Sequence, residues 1–374
     1  MRLALILSLL TMTTAFGSVH ELFVYVGTYT KTSSKGIYVG RFDPATGRLG
    51  ELALASEAVN PSFLALSPDR RYLYAVSEGA GAEFQGKPSG SVHAYAIDPA
   101  DGRLTPINSA ASAGKSPCHL SVTPDGKCVL VANYSSGSVA LLPVLKDGGV
   151  GAPSSVDQHE GKSVHPGRQK GPYAHSITPS ADGRFAYAAD LGTDTIYTYR
   201  IDSATGVLAA SSSVALEPGS GPRHFALSPD SRHAYVINEL SNTLTTFALD
   251  AATGALKALQ TVPTLPADFT GKSTTAEVAT SPDGRFVYGS NRGHDSIAVF
   301  QADPSAGTLT ALGQVSTQGR NPRHFAIDPT GRWLIAANQD GDSLVVFAID
   351  PANGRLAPTG RTLVVGSPVC VRFY

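Results

Sequence analysis

The sequence predicts an all-β chain: a seven-bladed β-propeller with four-stranded blades, closed by pairing of the N- and C-terminal strands. Three observations predict it. The stretch Ser281–Phe300, SPDGRFVYGSNRGHDSIAVF, recurs in variant form from Ser67-Pro68-Asp69 to Asp328-Pro329-Thr330-Gly331. The turn prolines at 68, 124, 179, 229, 282 and 329 lie roughly 50 residues apart, the length of a unit with four strands. The two ends are complementary fragments. Phe23–Leu49 reads as a second and third strand and the start of a fourth, while Ser367–Phe373 reads as a first strand with nothing after it. Together they complete one blade and remove the free edges of an open sheet.

Each unit divides into strands A to D. A short apolar segment before the turn, such as His224–Leu227 or His324–Ile327, is A. The Ser-Pro-Asp-Gly turn follows: Pro fixes φ, Asp bonds nearby backbone and Gly takes positive φ. Strand B alternates, with Phe286, Tyr288 and Ser290 set against Arg285, Val287 and Gly289. Asn291–Asp295 is a polar loop, and Ser296–Phe300, rich in β-branched and aromatic residues, is C. An Asp-Pro-x-x-Gly turn (Asp43–Gly47, Asp98–Gly102, Asp303–Gly307, Asp350–Gly354) leads to D. In one copy, Thr178-Pro179-Ser180-Ala181-Asp182-Gly183, the turn carries an extra residue. Two insertions break the period. Gly79–Gly90 lengthens a B–C loop, and Lys146–Gly171 lengthens the approach to the third internal A strand.

Met1-Arg2, the apolar run Leu3–Leu10 and the small and polar residues after it read as a signal peptide over 1–19, with cleavage between Ala15 and His20. The propeller then spans 20–374. The run falls short of the ~20 apolar residues of a membrane-spanning helix. The expectation is a periplasmic or secreted protein, with the cytoplasm as the alternative. A net charge of −1 and a pI near 6.8 provide no basic field for nucleic acid. Cys118, Cys128 and Cys370 are too few, and odd in number, for a disulfide framework and read as buried thiols. Histidines and acids are spread over the repeats without metal-ligand spacing, and no Gly-rich phosphate loop precedes a helix, so neither metal nor cofactor is expected.

Strand parity locates the chemistry. The two repeated turns share one face, and the D–A and B–C loops share the other. What repeats is architecture; what departs from the repeat on the second face is the candidate site. Starts of A strands contribute His119, His175, Arg223-His224, Glu277 and Arg323-His324. B–C loops contribute Glu78, Asn133, Asp190, Glu239, Asn291-Arg292 and Asn338. His119, His224 and His324 occupy one repeat position, five residues before the turn proline, which also suits hydrogen bonding across the channel. Glu239, Glu277 and Arg292 occur once, and a charge near the axis must be paired or face a pocket.

These residues resemble the seven-bladed propeller lactonases, which include bacterial 6-phosphogluconolactonases and the fungal carboxymuconate lactonizing enzymes. The likeness spans about residues 22–374. It is carried by Tyr25–Tyr29, Asn60-Pro61-Ser62, Arg168–Ser176, Gly221-Pro222-Arg223-His224, Asn238-Glu239-Leu240, and Ala276-Glu277 with Ser290–Gly293. The resemblance implies catalytic roles for His175, Arg223, Glu239 and Arg292. Arg168, Glu277, Asn291, His224 and Arg323 are expected to bind the substrate. Where the family often has Pro-His-x-His, this chain has Pro172-Tyr173-Ala174-His175. The implied partner is a small-molecule lactone acted on by a monomer without nucleic acid or membrane.

The same residues suit lactone opening. Glu239 or His175 can activate water. Arg223 or Arg292 can stabilise the oxyanion or hold an acidic group bidentately. Among these, Glu239 is expected to be the base and His175 the proton donor to the leaving alkoxide. A cycloisomerase and a non-catalytic binding propeller stay open at this level.

Overall fold

The computed structural model describes residues 21–31 and 33–374, so the expected leader over 1–19 lies outside the described residues. Seven antiparallel sheets surround a channel. Numbering starts with the blade that joins the two ends. In blade 1 the inner strand is Pro368–Phe373, followed outward by Leu22–Thr28, Gly36–Asp43 and an outer edge split into Arg48–Leu49 and Ala53–Glu57. The inner strands of blades 2 to 7 are Leu64–Leu66, Pro117–Val122, Ala174–Pro179, Pro222–Leu227, Thr274–Thr280 and Pro322–Ile327. Among the described residues the only helix is a 3-10 turn, Gln339–Gly341.

The closure joins the segments expected from sequence. Val24 pairs with Phe373, Val26 with Val371 and Gly27 with Cys370, and Tyr374 N–H donates to the Phe23 carbonyl at 2.8 Å. Second strands are the driest layer: all six residues of Phe185–Asp190 and of His233–Asn238 are buried. Their side chains fill the clefts between neighbouring blades, as where Tyr187 stacks on Phe225 at 4.8 Å. Outer strands such as Val207–Ala215 are mostly exposed.

The turns also fasten blade to blade. In the turn after Ser281, the hydroxyl donates to Asp283 at 2.6 Å, Asp283 accepts Arg285 N–H at 3.1 Å, and Gly284 takes φ +73°. Side-chain donors at the start of B then reach carbonyls in the next blade's second turn: Arg184 to Ala251, Arg232 to Pro304, Arg285 to Pro351, Arg332 to Pro44. Tyr25, Tyr74 and Tyr288 hydroxyls do the same toward Gly102, Gly148 and Gly354. The repeated residues of the sequence are thus the circumferential fastening of the ring.

Three sequence readings need adjustment. In blade 4 the turn is Ser180-Ala181-Asp182-Gly183: Ser180 donates to Asp182 and accepts Phe185 N–H, as Ser281 does with Asp283 and Phe286. Ala181 takes the proline position and Pro179 ends strand A, so there is no extra residue in the turn. The Gly79–Gly90 insertion is not a loose loop but an extension of B and C into one long hairpin, Tyr72–Phe84 and Lys87–Ile97. The outer strand of blade 3, Ser155–Gln158, lies inside Lys146–Gly171, so only the segment after Gln158 is additional to the blade.

Deleting residues 367–374 leaves Leu22–Thr28 as a bare inner edge. The expected result is a lower melting temperature and aggregation seen by light scattering. A truncated chain that stays monomeric with an unchanged melting temperature would contradict the closure.

Candidate active site

Each inner strand begins in a way that aims one side chain out of the sheet. In five blades a residue in the left-handed region precedes the proline position: Asn60, Ser116, Gly221, Asn321 and Ser367, with φ between +43° and +64°. The register against the second strand then skips one residue in blades 1, 3, 4, 5 and 7: Val369, Cys118, His175, Arg223 and Arg323. Such bulges re-aim a side chain where a strand ends. A second ring comes from the residue that follows the last buried polar group of each B strand: Tyr29, Glu78, Tyr134, Leu191, Glu239, Arg292 and Gln339. The buried groups themselves are Thr28, Ser77, Asn133, Asp190, Asn238, Asn291 and Asn338.

The two rings enclose a pocket of about 310 Å³ lined by Glu78, Ser116, Cys118, Tyr134, Ser135, Arg168, His175, Glu239, Arg292 and Arg323. At its floor Glu239, 3% exposed, is held by three guanidinium groups. Arg168 Nη2 is 2.6 Å from Oε1; Arg223 Nε and Arg292 Nη2 are 3.1 and 3.0 Å from Oε2. Burial pushes the carboxyl up, but Arg292, Arg223, His175 and Arg168 together outweigh it and hold Glu239 well below the usual value of 4.5. It is a fixed anion at neutral pH.

His175 behaves in the opposite way. Burial, reinforced by Arg223 and His224, keeps its imidazole neutral far below the ordinary 6.5. Its Nε2 lies 3.9 Å from Glu239 Oε2, a gap wider than a hydrogen bond. Its Nδ1 is 3.7 Å from Cys118 Sγ. That thiol is pushed well above the ordinary 9.0 by burial and by Glu78, so it is inert, as are the other two buried cysteines expected to be so.

Arg168 reaches the pocket from the segment before blade 4, and its backbone is pinned. His165 Nδ1 accepts the N–H groups of Gly167 and Arg168 at 3.2 and 3.1 Å. The buried Gln169 side chain donates to the Leu191 carbonyl and to Asp194 at 2.9 and 2.7 Å. Arg168 also bonds Tyr134 Oη at 3.2 Å. On the opposite wall Arg323 lies over the Tyr29 ring at 5.4 Å and has no carboxylate within ion-pair distance among the described residues. Next to it Glu78 accepts the Ser62 hydroxyl at 2.5 Å and the Tyr29 hydroxyl at 3.1 Å.

Of the residues singled out in the sequence, His175, Glu239, Arg292, Arg168 and Arg323 line this pocket and Arg223 touches it through Glu239. Three others do not reach it. Asn291 is fully buried and donates to the Thr264 carbonyl and the Ser296 hydroxyl, both at 3.1 Å. Asn133 and Asn338 bond the corresponding serines, so this position is a strand clasp and the facing residue is the next one. His224 and Glu277 pair with each other at 2.8 Å inside the channel, at the wall of a second opening of about 540 Å³. That opening is the larger of the two, but it lies toward the Pro282 and Pro329 turns and is lined chiefly by inner-strand apolar groups. Glu277 looks singular in sequence because it is charged; by position it is the counterpart of His119, His224 and His324. Tyr134 was missed, yet it follows the repeated Asn133 just as Glu239 follows Asn238. Tyr173, standing where the family has a further histidine, stacks on Tyr134 at 5.0 Å.

The family model for the seven-bladed β-propeller lactonases matches residues 23–373. The chain belongs to this family. It is 41% identical over 349 residues to a 6-phosphogluconolactonase of Bacillus subtilis, covering 93% of this chain and 97% of that one. The solved structure of a periplasmic gluconolactonase of Pseudomonas aeruginosa is 40% identical with a TM-score of 0.88, over 95% of this chain and 99% of that one. A putative 6-phosphogluconolactonase of Bacteroides fragilis is 35% identical with a TM-score of 0.85, over 95% and 98%. The protein is therefore a propeller lactonase, a lactone hydrolase of the 6-phosphogluconolactonase-like kind.

Asn291→Ala is expected to destabilise the fold by about 1–3 kcal/mol, because two buried hydrogen bonds are lost, to the Ser296 hydroxyl and to the Thr264 carbonyl, which keeps only the Gln314 amide, with KM unchanged. A raised KM at unchanged melting temperature would return Asn291 to the substrate binders.

Proposed function

We propose that the pocket hydrolyses a sugar lactone with His175 as the base, in place of Glu239, and with the arginines of the clamp as the electrophile. The observation that carries this is the pairing at the pocket floor of a carboxylate kept ionised by three arginines with an imidazole kept neutral beside it. A carboxylate so stabilised is a poor proton acceptor, whereas a neutral imidazole has a lone pair to offer. The attacking water lies beside the pair, on the pocket side, within hydrogen-bonding reach of both His175 Nε2 and Glu239 Oε2, which are 3.9 Å apart. His175 takes one proton as oxygen bonds to the lactone carbonyl carbon. Arg223 and Arg292 donate to the resulting oxyanion. The C–O bond to the ring oxygen then breaks, the imidazolium returns its proton to the departing alkoxide, and the aldonic acid formed loses its carboxyl proton to solvent to give the aldonate.

Glu239 orients both arginines and balances their charge. Arg323, with no ion pair of its own, and Arg168 at the rim suit the substrate's polar or anionic end, with Glu78 accepting sugar hydroxyls. For the substrate, the leader-like residues 1–19 and the likeness to a periplasmic gluconolactonase support an exported enzyme and an unphosphorylated aldonolactone.

The test is hydrolysis of phosphorylated and unphosphorylated sugar lactones by the wild type and two variants. His175→Asn is expected to lower kcat by about 10²–10⁴-fold without changing the melting temperature. Glu239→Gln is expected to lower both, since it strands two buried cations, a loss of about 3–5 kcal/mol when one partner of such a pair is removed. Near-full activity in His175→Asn would refute the base assignment. Faster turnover of the phosphorylated lactone would refute the substrate reading.

The pH profile checks the same point independently. A base must be unprotonated, so kcat/KM falls as pH drops through the pKa of His175. That value is depressed, so the acidic limb is expected below pH 6.5. A limb at or above 6.5 would mean that His175 is not the group titrating.

A further inference from the structure

Arg223 is the most buried of the clamp's cations, at 2% exposure, and it is joined on its far side to a line of groups running away from the pocket. Its Nη1 donates to the Ala276 carbonyl at 2.7 Å and lies 3.1 Å from His224 Nε2. His224 Nδ1 is 2.8 Å from Glu277 Oε2. His324 Nε2 faces that same oxygen at 3.2 Å, off the line of a good hydrogen bond. His324 Nδ1 accepts the backbone N–H of Val371, on the strand that closes the ring, at 3.3 Å.

The direction of every link is fixed from both ends. Arginine has only donors, so His224 Nε2 must accept. A neutral imidazole then carries its proton on Nδ1, which donates to Glu277. At the other end a backbone N–H can only donate, so His324 holds its proton on Nε2, near Glu277 but without a hydrogen bond to it. Burial, with the nearby arginines, keeps both imidazoles neutral: His224 far below the ordinary value and His324 at about 3. The rings of His119 and His175 pack on His224 at 5.3 and 5.4 Å and leave it no room to turn over freely.

We propose that His224 and Glu277 are positioning residues for Arg223. They determine which edge of its guanidinium faces the reaction. With Nε on Glu239 and Nη1 shared between Ala276 and His224, Nη2 alone has no partner among the described residues, and it is the donor left for the oxyanion. This rests on the lactonase reading of Arg223. It also gives Glu277 a role that its distance from the pocket hides.

Losing the Glu277 carboxylate leaves the buried His224 Nδ1–H without an acceptor. The ring then shifts to find one and no longer holds Arg223 Nη1 at 3.1 Å, so the guanidinium loses the partner that fixes its edge. Glu277→Leu is expected to lower kcat by about ten- to a hundredfold, the scale on which outer partners orient a catalytic group, with KM little changed because the rim arginines are untouched. Glu277→Gln, whose amide oxygen still accepts from His224, is expected to restore most of kcat.

The decisive measurement needs no substrate. Long-range proton–nitrogen correlation of the histidine rings in the ¹⁵N-labelled wild type should show His224 neutral with its proton on Nδ1, with its ring shifts displaced in Glu277→Leu and restored in Glu277→Gln. A wild-type His224 protonated on Nε2 or on both nitrogens would overturn the proposal. So would Glu277→Leu with wild-type kcat, or Glu277→Gln and Glu277→Leu losing kcat and gaining KM alike. If the wild type opens no lactone while the tautomer is as expected, it is the lactonase reading that fails and not the chain of bonds.

Discussion

The site depends on one buried anion. Glu239 sits out of water, and a carboxylate there is tolerated only if its neighbours replace the lost hydration. Three arginines do so, from three places: Arg223 beside it in blade 5, Arg292 across the cleft in blade 6, and Arg168 from the segment before blade 4. No pair of them is adjacent in sequence. Blades 5 and 6 must pack side by side, and the segment carrying Arg168 must dock through Gln169, before the charges balance. The rest of the pocket follows. The arginines that satisfy Glu239 gather around one pocket, and burial together with the charge of Arg223 keeps His175 neutral. Because the folded pKa of Glu239 lies below its usual 4.5, the clamp contributes fully above that value and is lost only as pH falls toward the folded one.

The fold was legible because the ring is made by what repeats. Ser-Pro-Asp-Gly and Asp-Pro-x-x-Gly are turns, and the arginine after the first turn reaches the second turn of the next blade, so the same residues that mark the period also hold it. The split blade was legible from its two complementary ends. The failures are equally local. At Thr178–Gly183 the proline is a misleading marker: the turn is defined by the serine hydroxyl bonded to the aspartate, and Ser180 with Asp182 supplies that without a proline.

At the candidate site, strand parity gathers the residues on one face but does not tell which of two neighbours reaches the pocket. Near-face polar groups alternate between two jobs within one step of sequence. Asn291 clasps its own blade while Arg292 faces the pocket; Arg223 backs Glu239 at the pocket floor while His224 faces down the channel. A bulge at the start of the inner strand shifts which side chain looks outward, and a bulge cannot be read from a pattern of polar and apolar residues. Glu277 shows the same limit. Its charge made it look singular, but its position belongs to the ring of His119, His224 and His324, which fills the channel between the two openings.

Binding of product tests this account most directly. A crystal structure of the protein with an aldonate, the open form of the proposed substrate, should place the new carboxylate within hydrogen-bonding distance of Arg223 Nη2 and Arg292, with one oxygen facing His175 Nε2 and the hydroxyl chain running toward Arg323 and Glu78. An aldonate seated instead in the opposite mouth of the channel, against Glu277 and away from the arginine clamp, would contradict it.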